Sequence, residues 1–260
     1  MKIRVKGVSL FEDLGNTKNI HGKKIKPLHI YRCSHLSKID KKDEERLINK
    51  YHLRHVVDFR TDQENASFPE LENSKINHYK FPALTKEQNI MIVKENRLEV
   101  LRNITYKEGG AIKHMHKLYH NILTTPLAIE AFHNFFKVLL KAEEGEAIAF
   151  HCTQGKDRTG VALMLLLMVL DVDKKTIEKR YLSYNRLTRW FRFWVYIGMF
   201  LFISPRLAIN LDRIIGARRV YIQKVMETLD TEYGGFKNYI NNVVGVTDEE
   251  IKELKIKYLY

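Results

Sequence analysis

The sequence contains little cysteine, and its cysteines lie far apart along the chain. Only 2 of the 260 residues are cysteine, and no Cys-x-x-Cys spacing occurs. A disulfide framework and a cysteine-rich zinc site are therefore excluded. A metal site would have to be built from scattered histidines and carboxylates, and we expect neither a metal nor another cofactor.

Proline, glycine and long apolar runs are also scarce. With 5 prolines and 13 glycines, no flexible linker is indicated, so we predict a single domain over residues 1–260. The most apolar stretches, 161–170 and 193–203, are shorter than the roughly 18 residues that a membrane-spanning helix needs. No continuous apolar segment opens the sequence, so we see no signal peptide and expect a cytoplasmic protein. A secreted form whose leader has been removed is the alternative.

Acidic residues are outnumbered by basic ones. The chain has 44 Lys and Arg against 31 Asp and Glu, a formal net charge of +13. This charge favours anionic partners such as phosphorylated substrates, acidic membranes or nucleic acid, and a surface that only keeps the protein soluble is the alternative. The basic residues are spread along the chain without a zinc-finger spacing or an RNP-like aromatic string, so nucleic-acid binding is not expected.

Short β-like runs alternate with longer helical patterns, which indicates an α/β fold. We predict a central, mostly parallel sheet of four to five strands flanked by helices, followed by a helical C-terminal half. The segment Val161–Leu170 is apolar all round and should form the buried central helix. The predicted strands are Leu28–Arg32, Leu53–Phe59, Ile76–Phe81 and Ala147–Phe150.

One segment is the candidate for a catalytic site. A predicted buried strand leads directly to Cys152, and a predicted helix begins after the loop that follows. A thiol that faces a helix N-terminus lies where amide groups and the helix dipole stabilise a thiolate, the nucleophilic form of cysteine. Arg158 follows after five intervening residues and offers a planar fork that matches two oxygens of a phosphoryl group. The amides of 153–158 can form a nest for the same anion. The pattern predicts a phosphate cradle with a nucleophile at its base.

Further residues of the loop support this prediction. Gly155 permits backbone conformations that are closed to other residues, and the Thr159 hydroxyl would stabilise the thiolate as a leaving group. Two alternatives are an inert buried cysteine at a strand-to-helix turn and a rhodanese-like sulfur transferase, although the spacing to Arg158 fits phosphate better. The predicted substrate-binding residues of the loop are Thr153, Gln154, Gly155, Lys156 and Thr159, with His151 in a supporting role.

The sequence His-Cys-Thr-Gln-Gly-Lys-Asp-Arg-Thr-Gly at 151–160 resembles the signature of the cysteine-based protein-tyrosine phosphatase superfamily. Its Gly-Lys-Asp-Arg-Thr-Gly form is similar to a bacterial family of atypical tyrosine and lipid phosphatases. Segments 11–15, 31–36, 57–64 and 233–247 also resemble motifs of that family. The resemblance implies a protein-tyrosine-phosphatase-like fold and metal-independent phosphomonoester hydrolysis through a phosphocysteine.

The implied substrates are phosphotyrosine proteins, with phosphoinositide or dual-specificity activity as an extension. A catalytically silent phosphate-binding module is the alternative function.

The general acid, which gives a proton to the leaving group, must be identified separately. The larger tyrosine phosphatases use the aspartate of a Trp-Pro-Asp loop, and that sequence does not occur here. The resemblance favours Asp157, inside the loop, and the alternative is that Asp157 only orients Arg158. Asp58, at the end of a predicted strand, is the second candidate acid, and its alternative role is to cap a turn with Arg60.

Three more residues have two interpretations each. Lys156 either contacts a second phosphate of a polyanionic substrate or is an exposed residue that aids solubility. Arg32 lines the pocket by resemblance, or forms a surface ion pair. Cys33 stands where the family has serine, and it is either a small core residue or a disulfide partner of Cys152.

The segment Trp190–Ile203 is unusually rich in aromatic residues and is flanked by arginines. It is predicted to be a core helix, a lid over the site, or a helix in contact with a membrane surface. The resemblance implies a lid at residues 186–206, because related bacterial phosphatases have mobile helices that cover the active site here, whereas the aromatic and arginine composition suggests an interfacial insertion over the same residues.

Overall fold

Five strands form one sheet in the computed structural model, which describes residues 2–70, 73–85, 88 and 97–260. The spatial order is β1-β2-β5-β3-β4. Only β1 is antiparallel to its neighbour, so the prediction of a mostly parallel sheet is confirmed. The strands are β1 (Phe11–Asp13), β2 (Ile30–Ser34), β3 (Leu53–Asp58), β4 (Asn77–Lys80) and β5 (Ala147–Cys152).

Strand β5 lies at the centre because every one of its residues is buried. Its side chains alternate between the two faces of the sheet, so Ile148 and Phe150 join the larger hydrophobic core, whereas Ala147 and Ala149 join a smaller one. An apolar run of this kind is typical of a parallel strand that is covered on both faces. The centre of the sheet therefore fixes the position of Cys152.

Helices pack on both faces and make up most of the second half of the chain. The helix α6 is buried all round apart from Met168, which confirms the predicted central helix. The helices are α1 (Lys41–Asn49), α2 (Asp62–Ser67), α3 (Arg97–Tyr106), α4 (Ala111–Thr124), α5 (Pro126–Lys141), α6 (Arg158–Val169), α7 (Lys174–Phe202), α8 (Pro205–Ile215), α9 (Arg219–Tyr233), α10 (Phe236–Asn238) and α11 (Asp248–Tyr258), with a π-helical turn at Tyr239–Val243.

The aromatic segment Trp190–Ile203 forms the C-terminal half of α7 and the first residue after it. Trp190 is 64% exposed and Trp194 is 66% exposed. The core-helix interpretation is therefore wrong, because a core helix buries its large side chains. In the described part of the chain, no helix combines the length and the apolar character needed to span a bilayer.

Candidate active site

The cavity above Cys152 is formed where the parallel strands end. Cys152 is the last residue of β5, and its side chain, 3% exposed, lines a cavity of about 530 Å³. Ser34, at the end of β2, pairs with Cys152 in the sheet register. Because the carboxyl ends of parallel strands meet at one edge, this edge is where ligands bind in open α/β sheets.

The loop takes its shape from Gly155, whose φ of +70° lies in the left-handed region. A Cβ atom at this position would lie 2.3 Å from the carbonyl oxygen of Cys33, so only glycine fits. Arg32 supports the same turn from behind, since its Nε donates to the Gly155 carbonyl at 2.9 Å. Its Nη1 donates to the carbonyl of Arg180 at 3.0 Å, and the side chain is fully buried. The structure therefore places Arg32 under the loop, in neither the pocket nor a surface ion pair.

Arg158 is held by the buried carboxylate of Glu64, which ends the family-like segment 57–64 but was not predicted as a site residue. Its Nη1 and Nη2 donate to the two oxygens of Glu64 at 2.6 and 2.7 Å, and Nη1 also donates to the Phe59 carbonyl at 3.1 Å. Glu64 also accepts from Thr153, and it closes a capping box with Thr61 at the start of α2. This side chain therefore joins α2 to both ends of the loop.

The ion pair sets the charge of both partners. Burial alone would lower the pKa of Arg158, but the hydrogen bonds and the charge of Glu64 raise it above its ordinary value. Burial alone would raise the pKa of Glu64, yet the bonds from Arg158 hold it below its ordinary value. Both groups are therefore ionised at neutral pH. The Thr-x-x-Glu sequence was a detectable signal, but a capping box accounts for it without any catalytic role.

Asp157 lines the cavity beside Cys152 and is the residue before α6. Its carboxylate accepts a hydrogen bond from the Tyr119 hydroxyl at 2.7 Å and lies 3.3 Å from the Lys156 ammonium. The Tyr119 hydroxyl is 2.5 Å from that of Tyr181. Burial raises the pKa of both tyrosines well above the ordinary value, so they remain neutral donors. These tyrosines come from α4 and α7, and nothing local in the sequence connects them with the loop.

Asp58, the second candidate acid, is engaged in a turn. It accepts from the backbone N–H of Arg60 at 2.9 Å and from its Nε at 2.9 and 3.0 Å. Burial would raise the pKa of Asp58, but His151 and Arg60 hold it below its ordinary value. Asp58 lines a different groove from the one that contains Cys152. The turn with Arg60 is thus its observed role.

His151 is fully buried beneath the loop, and its Nδ1 lies 3.1 Å from the carbonyl of Cys152. Its ring is also near the carboxylates of Asp58 and Glu70, a group close enough together to share a cation. Arg60 already lies 2.8 Å from both carboxylates, so it supplies the positive charge that a metal would bring.

Lys156 is buried, which contradicts its interpretation as an exposed solubility residue. Its ammonium donates to the carbonyl of Ile214 in α8 and faces Asp157. Burial lowers the pKa of Lys156, and the Asp157 carboxylate opposes this effect. The Lys156 ammonium therefore links the loop to α8, and Lys156 also lines the cavity.

The other predicted loop residues differ in their surroundings. Thr153 and Gln154 line the cavity, and the Gln154 side chain accepts from the Tyr184 hydroxyl at 3.2 Å. Thr159 is fully buried, and among the described residues its hydroxyl has no hydrogen-bond partner, so the predicted contact to the Cys152 sulfur is not made.

Cys33 is a free, fully buried cysteine in the smaller core cluster, which supports its interpretation as a core residue over a disulfide.

The cavity has a polar floor and apolar walls. The loop supplies a thiol, a carboxylate, a guanidinium and an ammonium group at the floor. Ligand sites are typically lined by apolar side chains with a few polar groups that fix the orientation of the ligand, and this cavity has that composition. Its apolar walls come from α3, α4, α7, α8 and the residue after α7, and include Leu98, Leu101, Met115, Leu118, Phe191, Met199, Ile203, Leu211 and Ile214.

Comparisons with known proteins extend over almost the whole chain. A model described as the tyrosine phosphatase family matches residues 3–260. A protein of Cupriavidus necator named "Putative tyrosine-protein phosphatase" is 27% identical over 254 residues, which cover 97% of this chain and 86% of that protein. The "Triple specificity protein phosphatase PtpB" of Mycobacterium tuberculosis is 22% identical over 273 residues, with 94% of each chain covered. The similarity is therefore not confined to the loop.

Proposed function

Because the chain belongs to the tyrosine phosphatase family, we propose that it hydrolyses phosphomonoesters through a phosphocysteine on Cys152. In the first step the Cys152 sulfur attacks phosphorus, the ester P–O bond breaks, and the leaving oxygen takes a proton from Asp157. In the second step a water attacks phosphorus and gives a proton back to Asp157. The P–S bond then breaks, which restores the thiolate and releases inorganic phosphate.

One observation carries this proposal: the nucleophile and a clamped guanidinium line the same cavity. Arg158 is fixed by two hydrogen bonds to Glu64, so its position is set before a substrate arrives. Fixed positive groups that face developing charge are the largest contribution to catalysis in such transfers. These groups and the amides of the loop provide the positive field, so the reaction proposed here needs no metal.

The surroundings of Asp157 support its role as the acid. Its partners are Tyr119 and Lys156, whereas the carboxylate partner of Arg158 is Glu64. Orienting Arg158 is therefore the task of another residue, and Asp157 lines the cavity where a leaving group would lie. Tyr119 fixes one carboxylate oxygen and leaves the other for the proton that is transferred.

Phosphotyrosine is the substrate that fits the cavity best, since its ring would lie between apolar walls. Phosphoinositides and phosphoserine are the second candidates. The buried ammonium of Lys156 supports a substrate with more than one phosphate, which would replace the Ile214 carbonyl as its partner. Helices α7 and α8 would act as the lid of this cavity, and a phosphopeptide would require them to move. We take residues 1–260 as one catalytic domain, as the single family match supports.

The deciding experiment measures phosphate release from p-nitrophenyl phosphate, phosphopeptides and inositol lipids, with Cys152→Ser as the control. Turnover that survives a chelator and is lost in Cys152→Ser is expected. Phosphate binding without turnover by the wild-type protein would favour the silent binding module instead.

A further inference from the structure

Large apolar side chains are exposed along the C-terminal half of α7 and at the residue that follows it. Phe202, for example, is 85% exposed, and seven other large apolar side chains within 190–203 are also exposed. Monomeric soluble proteins rarely expose a contiguous patch of this kind without using it to bind something. We call this surface the aromatic face; it consists of Trp190, Phe191, Phe193, Trp194, Phe200, Leu201, Phe202 and Ile203.

The charge around the aromatic face has one sign. Residues 179–211 contain six Lys and Arg and no Asp or Glu. Arg180 and Arg192 are paired with carboxylates of other elements. Within the described part of the chain no ion pair involves Arg189 or Arg206, whose guanidinium groups lie 5.3 Å and 4.9 Å from the ring centroids of Trp190 and Tyr106. Arg189 therefore lies against a tryptophan of the aromatic face, and Arg206, three residues after Ile203 in the sequence, lies against Tyr106 of α3.

We propose that the aromatic face docks onto the surface of an anionic lipid bilayer. Tryptophan, phenylalanine and leucine flanked by arginine make up the composition with which a helix lies in the headgroup region of a membrane. A second copy of this chain fits less well, because pairing two such faces would bring arginines together with no carboxylate from 179–211 between them.

The docking face is continuous with the active-site cavity. Phe191 and Ile203 are exposed on the aromatic face, and both also line the cavity that contains Cys152. Docking would therefore hold the cavity next to the headgroup layer. A phosphomonoester presented by the membrane would meet the loop without first dissolving in water.

The test uses the tryptophans as probes, since Trp190 and Trp194 are the only two in the chain. The full-length protein is mixed with vesicles of equal parts phosphatidylcholine and phosphatidylglycerol. We expect a blue shift of tryptophan emission and co-sedimentation with the vesicles. Added salt should weaken binding, because it screens the attraction between the arginines and the anionic headgroups. Vesicles of phosphatidylcholine alone should also bind less, because they carry no net negative charge.

The variant Trp190→Ser/Trp194→Ser tests the face by co-sedimentation. Its vesicle affinity should fall about tenfold or more, because the variant lacks the two aromatic side chains whose transfer from water into the membrane would favour binding. Neither tryptophan lines the cavity, so turnover of p-nitrophenyl phosphate should be unchanged. Ile256→Ser, at an exposed apolar residue of α11, is the matched control and should keep wild-type vesicle binding.

Two results would overturn the proposal. One is the absence of both emission shift and co-sedimentation with anionic vesicles. The other is a concentration-dependent dimer in sedimentation that has blue-shifted emission without vesicles, which would assign the face to a second copy. Both readouts are independent of turnover, so a failure here is distinguishable from a failure of the proposed phosphatase reaction.

Discussion

The substitution Glu64→Gln tests whether the clamp on Arg158 sets the rate. Glu64 accepts five hydrogen bonds, two from Arg158, two from Thr61 and one from Thr153. Glutamine keeps the shape but turns one acceptor into a donor, which then faces a donor of Arg158. The guanidinium is left buried without its paired carboxylate, so the free energy of unfolding should fall by about 3 kcal/mol, near the lower end for a broken buried pair.

The effect on catalysis follows from the same geometry. An arginine that is free to move loses the alignment of its two donors with the phosphoryl oxygens. We expect kcat/KM for p-nitrophenyl phosphate to fall about 10²-fold to 10³-fold, as when one preorganised donor to developing charge is lost. Steady-state kinetics is measured at a temperature where urea titration shows the variant to be fully folded. The matched control is Glu44→Gln, at a buried glutamate of α1 whose partner is Asn73.

The pH dependence gives a second readout of this pair. The folded-state pKa of Glu64 lies below its ordinary value of 4.5, so its contribution is present above pH 4.5 and is lost as pH falls further. The wild type should therefore lose stability in acid more steeply than Glu64→Gln. A Glu64→Gln variant with wild-type kcat/KM and the wild-type acid dependence would refute the reasoning.

Three further changes have defined outcomes. Gly155→Ala should lower the free energy of unfolding by about 2 kcal/mol or more, as measured by urea titration, and should lose activity. The reason is that its Cβ would lie 2.3 Å from a carbonyl oxygen at a φ of +70°. Wild-type stability would contradict the turn assignment. Tyr119→Phe should slow phenyl phosphate about tenfold and p-nitrophenyl phosphate less, because only the poorer leaving group depends fully on the acid. Equal slowing of both substrates, or the same loss in the control Tyr239→Phe, would argue against positioning of the acid. Asp157→Asn should slow phenyl phosphate by about 10² or more, and a uniform loss on both substrates would reject Asp157 as the acid.

The central sheet and α6 were predictable because their signals are local. The first four residues of β5, Ala147–Phe150, and α6 from Val161 to Val169 are continuously apolar, as is typical of elements that are buried on all sides, and they flank the loop motif. The strand β1 was missed because three residues are too few to show a periodicity. The prediction of β2 began at Leu28, two residues early, since Leu28 has a φ of +62° and ends a turn.

The supporting shell of the site could not be predicted, because it depends on contacts between distant segments. Tyr119 and Glu64 are 38 and 94 residues from the loop residues that they bind. Arg32 was placed in the pocket by resemblance and Lys156 by its charge, and a charged side chain is ordinarily expected to be exposed or to contact a substrate. Burial against carbonyl groups of the protein is the alternative that only the folded structure reveals.

The most direct test of the account is to stop the reaction with p-nitrophenyl phosphate in acid during its first turnover and to locate the phosphate by peptide mass spectrometry. The account predicts phosphate on the peptide that contains Cys152, and on no peptide of Cys152→Ser. Turnover by Cys152→Ser, or phosphate found on a different residue, would contradict it.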